Sequence, residues 1–218
     1  MRIIYLSDFN CPYSYIGLNR VKNAVCELDL DVEWEMKSFE LEPNARNFSA
    51  ADRFAFKNGL SCEDAKKEID EMEKIAQNDG LQINYQNLII NSSKDAHRMA
   101  KYVQNNYPEL SQELIFKIFE SNFTKNEDIS NHDVLISIAA SCGLDEDEMG
   151  QMLKGGSLKI EVELDMDEAI SNGITTTPYY FIEHNDERLL IPGVFEKESF
   201  KIAFEDLING EMNRKTFI

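Results

Sequence analysis

Asp8-Phe9-Asn10-Cys11-Pro12-Tyr13-Ser14-Tyr15-Ile16-Gly17 decides how the chain is read. A short apolar run, Ile3-Ile4-Tyr5-Leu6, precedes it, and Leu18, Val21, Val25 and Leu28 follow at helical spacing. The pattern predicts strand, loop and helix, with Cys11 just ahead of the helix and Pro12 in its first turn. Unpaired N–H groups and the positive end of the helix dipole stabilise an anion at such a place. Here that anion is a thiolate, so the sequence predicts a Cys11 pKa below the free value of roughly 8.5.

Working outward, Val32, Trp34 and Met36 alternate with Glu33, Glu35 and Lys37, the period of a strand with one buried face. Two strands joined by a helical crossover are parallel, and the crossover is right-handed. That puts Cys11 at the carboxyl end of the first strand, where open α/β sheets carry their sites.

From Pro43 to Gly156 the character is helical, with no long strand. Ser61 and Asp64 resemble a capping box ahead of Ala65, Ile69, Met72 and Ala76, and Gly80 closes that helix. Further apolar stripes follow: Ala96, Met99, Ala100 and Val103; Leu110, Leu114, Ile118 and Phe119; then Val134, Leu135, Ile138, Ala139 and Cys142. Asp145 caps a short helix with Met149, Met152 and Leu153. Each stripe reads as one face of a helix packed on a core. Ser157 is then expected to cap a crossover helix through Val162, Met166, Ala169 and Ile170. Thr175-Thr176-Thr177-Pro178 leads into the strand Tyr179-Tyr180-Phe181-Ile182, Asn185-Asp186 turns the chain, and Leu189-Leu190-Ile191 returns it as a hairpin. A helix with Phe200, Ala203, Phe204 and Leu207 covers the sheet.

Cys11-Pro12-Tyr13-Ser14-Tyr15-Ile16-Gly17 resembles the active-site segment of the DsbA-like thioredoxin-fold oxidoreductases, in particular the FrnE-like cytoplasmic branch. There the usual form is Cys-Pro-x-Cys, and Ser14 stands where those dithiol members have a second cysteine. The segment is also similar to the kappa-class glutathione transferases and 2-hydroxychromene-2-carboxylate isomerases, whose motif reads Ser-Pro-Tyr-Ser. Asn91, Asp95-Ala96-His97-Arg98, Phe116, Phe119, Asp128-Ile129-Ser130 and Cys142-Gly143-Leu144-Asp145 resemble the FrnE-like helical signatures in order.

The resemblance implies an α/β, thioredoxin-like fold with a large all-helical insertion: residues 1–42 and 157–218 as the thioredoxin-like part, 43–156 as the insertion. It further implies a cis-proline loop at Thr177-Pro178 beside the reactive cysteine. The Thr177 backbone would then be free to receive a peptide or glutathione as an added strand. The candidate site is therefore Cys11 and Ser14 for chemistry, with Pro12, Tyr13, Thr177 and Pro178 for binding. His97 has two readings, a proton carrier or ligand contact near the cysteine, or a histidine packed on a helix face, and the second is the commoner case.

A lone thiolate forms a mixed disulfide, but with Ser14 in place of a thiol it needs an outside thiol to resolve it. The leading expectation is monothiol exchange on protein or small-molecule disulfides with glutathione as co-substrate. The alternatives are a kappa-like transferase or isomerase that activates the sulfur of glutathione itself, and a non-catalytic peptide-binding or holdase module. Dimers are familiar among the related transferases, which leaves a homodimer open.

Composition bounds these readings. The chain has 218 residues, 43% apolar, with 40 acidic against 22 basic residues and a net charge of −18. That balance argues against nucleic acid or an anionic membrane as partner. No basic, apolar leader precedes the first strand and no run is long enough to span a bilayer, so a cytoplasmic location is expected. Cys11, Cys26, Cys62 and Cys142 form neither a Cys-x-x-Cys nor a zinc-ligand pattern. On a continuous helix Cys26 lies about 22 Å from Cys11, beyond bridging range.

Overall fold

In the computed structural model, which describes residues 1–211, the first strand is β1 (Arg2–Ser7), followed by α1 (Pro12–Glu27) and β2 (Glu33–Ser38). The chain then enters β3 (Phe48–Ser49), α2 (Ala50–Asn58), α3 (Cys62–Asn78), a 3-10 turn at Tyr85–Asn87 and β4 (Ile89–Ile90). Four more helices complete the insertion: α4 (Lys94–Asn106), α5 (Pro108–Phe123), α6 (His132–Ser141) and α7 (Glu146–Lys154). The return consists of α8 (Lys159–Ser171), β5 (Tyr179–His184), β6 (Glu187–Pro192) and α9 (Lys197–Asn209). Residues 212–218, the end of the segment assigned from sequence to the thioredoxin-like part, lie outside the described residues.

The main sheet has the order β2-β1-β5-β6, with β1 parallel to β2 and antiparallel to β5. Directly paired residues share a face, so Ile3, Trp34 and Ile182 point with Tyr5, Met36, Tyr180 and Ile191 to one side. α1 and α9 cover that side, where Tyr180 meets Phe200 with ring centroids 5.5 Å apart. On the other side α8 covers half the sheet through Leu6, Phe39, Ala169 and Ile174. The uncovered half is a cleft of about 620 Å³ between Arg2, Glu35, Phe181, Glu183, Arg188 and Leu190. The open edge of β2 is blocked by side chains: Gln104 Oε1 accepts the Met36 N–H at 2.7 Å and Asp165 Oδ2 accepts that of Ser38 at 3.0 Å.

α1 lies between the sheet and the insertion. Its Ile16, Leu18, Val21 and Val25 are buried, while Tyr15 stacks on Phe119 of α5 at 5.1 Å and 10°. One continuous core therefore runs from Ile3 through the insertion to Leu207.

One local expectation is corrected. Ser157 does not cap α8: Leu158 is the N-cap, with φ +63, and makes no side-chain cap bond. The Ser157 carbonyl instead accepts from Arg98 Nε at 2.8 Å. Buried Arg98 also donates to the carbonyls of Met152 (3.0 Å), Leu153 (3.3 Å) and Gly155 (2.7 Å), closing the end of α7 whose last carbonyls have no helical partner. Nor does any apolar stripe announce α2, which is capped by Ser49 Oγ on the Asp52 N–H and ended by Gly59 at φ +66. The stripes placed in α3 to α7 do form helices, and within the insertion β3 and β4 pair over two residues each.

Candidate active site

The loop after β1 is built around a buried carboxylate. Asp8 Oδ1 accepts the Asn10 N–H at 3.1 Å and the Ser93 hydroxyl at 2.8 Å, and Oδ2 accepts the Leu41 N–H at 2.7 Å. The Asp8 carbonyl accepts the Cys11 N–H at 3.0 Å, and its N–H donates to Ser14 Oγ at 3.4 Å. The insertion holds the loop from the far side: Asn122 Nδ2 donates to the Phe9 carbonyl at 2.8 Å, and Asn10 Nδ2 to that of Asn91 at 2.8 Å.

Cys11 is the N-cap residue of α1, in extended conformation, with Pro12 at the first helical position. Its side chain makes no cap bond. The thiol donates instead to the Thr177 carbonyl, Sγ to O 3.5 Å, and the Thr177-Pro178 peptide bond is cis. The fold thus brings Cys11, Ser14, Thr177 and Pro178 together from opposite ends of the chain. Pro12 is buried, and Tyr13 is half-buried beside the thiol, where burial and the charges of Cys11 and Glu68 push its phenol up and keep it neutral.

Gly17 is required by this convergence. A Cβ there would run into the hydroxyl of fully buried Tyr180 and come within 3.3 Å of Pro178 Cγ and Val194 Cγ2. A rigid, enclosed ring cannot step aside, so Gly17→Ala is expected to cost about 1–3 kcal/mol. Urea denaturation checks this, and an unchanged midpoint would show that the ring gives way.

The electrostatics correct the expected lowering of the Cys11 pKa. With Cys11 only 4% exposed, burial pushes the thiol up from its ordinary value. Hydrogen bonding with Thr177 and Ser14 pulls it part of the way back, and the Asp8 charge adds to the rise. Burial disfavours the charged thiolate, so the raised pKa leaves the resting group a neutral thiol. Burial also pushes the phenols of Tyr85 and Tyr180 up, so these two rings beside the sulfur stay uncharged.

Sequence reasoning missed the polar support: Asp8, Asn10, Asn91, Ser93 and Asn122. His97, fully buried on α4, meets the loop through Asp8, with Nε2 3.5 Å from Oδ1, and through Phe9, ring centroids 4.9 Å apart. All four cysteines are free, Cys26 and Cys62 exposed and Cys142 buried. The Thr177 hydroxyl is buried and has no hydrogen-bond partner among the described residues.

A strand-loop-helix cysteine facing a cis-proline loop, with helices inserted after the second strand, is the arrangement of the thioredoxin-like disulfide enzymes. The chain belongs to the DSBA-like thioredoxin domain family, which matches residues 2–205. It is 24% identical over 201 residues to YwbO of Bacillus subtilis (strain 168), an uncharacterized protein, covering 92% of this chain and 94% of YwbO. Among solved structures it is similar to the probable DsbA oxidoreductase SCO1869 from Streptomyces coelicolor. There the TM-score is 0.86 at 25% identity, covering 98% of this chain and 92% of that one. The cytosolic disulfide reductase DsbM from Pseudomonas aeruginosa, solved with GSH, shares the fold at a TM-score of 0.67 and 14% identity, covering 96% of this chain and 100% of that one.

Proposed function

We propose that this chain is a monothiol thiol–disulfide oxidoreductase in which Cys11 is the nucleophile and glutathione resolves the mixed disulfide. The observation that carries the reading is the Cys11 sulfur on the Thr177 carbonyl of the cis-proline loop, with Ser14 one turn along in place of a second thiol. Cys11 loses its proton to solvent and attacks a disulfide R–S–S–R′. The Cys11–S–SR bond forms, the S–S bond breaks, and R′S⁻ leaves and takes up a proton. The thiolate of glutathione then attacks the mixed disulfide, forms R–S–SG and returns Cys11 as a thiol after reprotonation. Pro12 and Tyr13 border the sulfur, and Thr177 with Pro178 receives the backbone of the entering group. The buried, unpaired Thr177 hydroxyl suits a peptide-like co-substrate. GSH in the DsbM structure supports that choice, and the need for an external thiol suits a reducing cytosol.

The test is intact-mass and peptide-mapped analysis after brief exposure to oxidised glutathione across a pH series. One adduct, on Cys11, is expected. Because burial raises the thiol pKa, its rate climbs with pH through and beyond the ordinary thiol range, about tenfold per unit below the midpoint. Added reduced glutathione should discharge the adduct. If Cys11 stays unmodified while exposed Cys26 and Cys62 react, the reading is lost. The protonated resting thiol gives a second reading, in which Cys11 donates a hydrogen bond and a bound glutathione sulfur attacks an electrophilic carbon, as in a kappa-like transferase or isomerase. Tight binding of reduced glutathione with no Cys11 adduct would favour it.

A further inference from the structure

We propose that His97 is a positioning residue for Cys11: held against the Asp8 carboxylate that anchors the reactive loop, its imidazole sets the pH range in which the Cys11 thiol becomes nucleophilic. The inference rests on the reading of Cys11 as the reactive thiol.

Asp8 and His97 are both 0% exposed, and they come from different parts of the chain, one from the loop after β1 and the other from α4 in the insertion. Among the described residues neither ring nitrogen has a hydrogen-bond partner, although Nε2 lies 3.5 Å from Asp8 Oδ1. Its plane packs on Phe9, which itself packs on Phe119 at 4.9 Å, so no water-filled space screens the pair on that side. A buried, unpaired polar ring is destabilising, a poor choice for filler when an apolar ring would fit. As a polar neighbour of a buried carboxylate it has a use.

The groups that face this pair are few. Glu40, just beyond β2, is nearly covered and leaves Oε2 without a partner. Its carboxyl is pushed up by burial and by Asp8, against the opposing pull of His97 and Lys94. Lys94 sits on the same helix as His97 but is committed to Glu163 at 2.6 Å. Ser93 and the backbone of Asn10 and Leu41 hold the Asp8 oxygens. Cys11 lies within the field of Asp8, whose negative charge opposes its ionisation. The polar Nε2 edge of the imidazole, set 3.5 Å from Oδ1, offsets part of that charge. His97 thereby acts on the thiol through Asp8.

The experiment is the pH dependence of iodoacetamide alkylation of Cys11, followed by mapped mass in the full chain, for the unsubstituted protein, His97→Gln, Asp8→Asn and the double variant. His97→Gln is expected to raise the midpoint and slow alkylation roughly tenfold at a fixed pH below it. Asp8→Asn lowers the midpoint, and in that background His97→Gln changes nothing further. A merely structural histidine would lower the melting temperature and leave the midpoint where it was, and that result overturns the proposal.

In case His97→Gln does not fold, the unsubstituted chain supplies an independent readout, since it has only 3 histidines to assign by NMR. Coupling is reciprocal, so the His97 ring resonance should move when Cys11 ionises and lose that step once Cys11 is carboxamidomethylated. No such step in the free protein also overturns the proposal. Failure of Cys11 to alkylate at any pH, with Cys26 and Cys62 modified, overturns the reactive-thiol reading itself and is distinguishable from an unmoved midpoint.

Discussion

Ser14→Cys shortens the life of a Cys11–glutathione mixed disulfide by roughly a thousandfold or more at millimolar glutathione, because the resolving thiol becomes part of the same helical turn. The Ser14 N–H already donates to the Cys11 carbonyl at 3.0 Å, so the two positions face each other across a single tight turn. The product would be an internal disulfide between Cys11 and the thiol introduced at position 14, with glutathione expelled as a thiol. Acid quenching at intervals, with mass analysis, measures the adduct lifetime against the unsubstituted protein. An equally long-lived adduct in the variant would mean that the bound group shields Cys11 from position 14. The substitution also tests the role of Ser14, whose buried Oγ accepts the Asp8 N–H and hydrogen-bonds the Cys11 sulfur.

Arg98→Ala is the largest expected loss of stability, about 3–5 kcal/mol, which in a chain of this size lowers the melting temperature on the order of 10 °C. The guanidinium is the shared partner of four backbone carbonyls, those of Met152, Leu153, Gly155 and Ser157, and of Asp95 at 2.6 Å. Removing it leaves the end of α7 and the entry to α8 with buried acceptors that no other side chain serves. Asp95 keeps His132 at 2.8 Å, so the cost falls on the carbonyls. Differential scanning calorimetry reads the shift, and a loss under about 1 kcal/mol would show that water takes over the carbonyls. Arg98→Lys should recover only part, since one ammonium cannot span four acceptors.

The legible parts of the fold are those with a local signature. Alternation at Trp34 and Met36, the capping box at Ser61, and the run from Thr177 into Tyr179-Tyr180-Phe181-Ile182 all mark elements that form. α2 is hidden because its nine residues bury only Ala50 and Ala55, too few for a stripe. The cap expected at Ser157 fails because a residue far upstream, Arg98, takes its carbonyl, and Leu158 adopts the left-handed conformation without glycine. At the site, motif and order suffice to find Cys11 and Pro178. They do not give the direction of the Cys11 pKa, because a helix start is visible in sequence whereas burial by Tyr85, Tyr180 and the insertion is not. Asp8 lies inside the decisive stretch, but its partners Leu41 and Ser93 stand 33 and 85 residues away.

Phe9, wedged between His97 and Phe119, and Tyr15, stacked on Phe119, have a consequence for modularity. The sheet-bearing part is not a chassis from which the helices can be excised as a cassette. Cutting them away would strip the cover from both aromatics, at roughly 1.5–3 kcal/mol each, and remove the Asn122 amide and the Asn91 carbonyl that tether the Cys11 loop. A minimal version of this protein that keeps only the strands, α1 and α9 would lose its fold and its chemistry together.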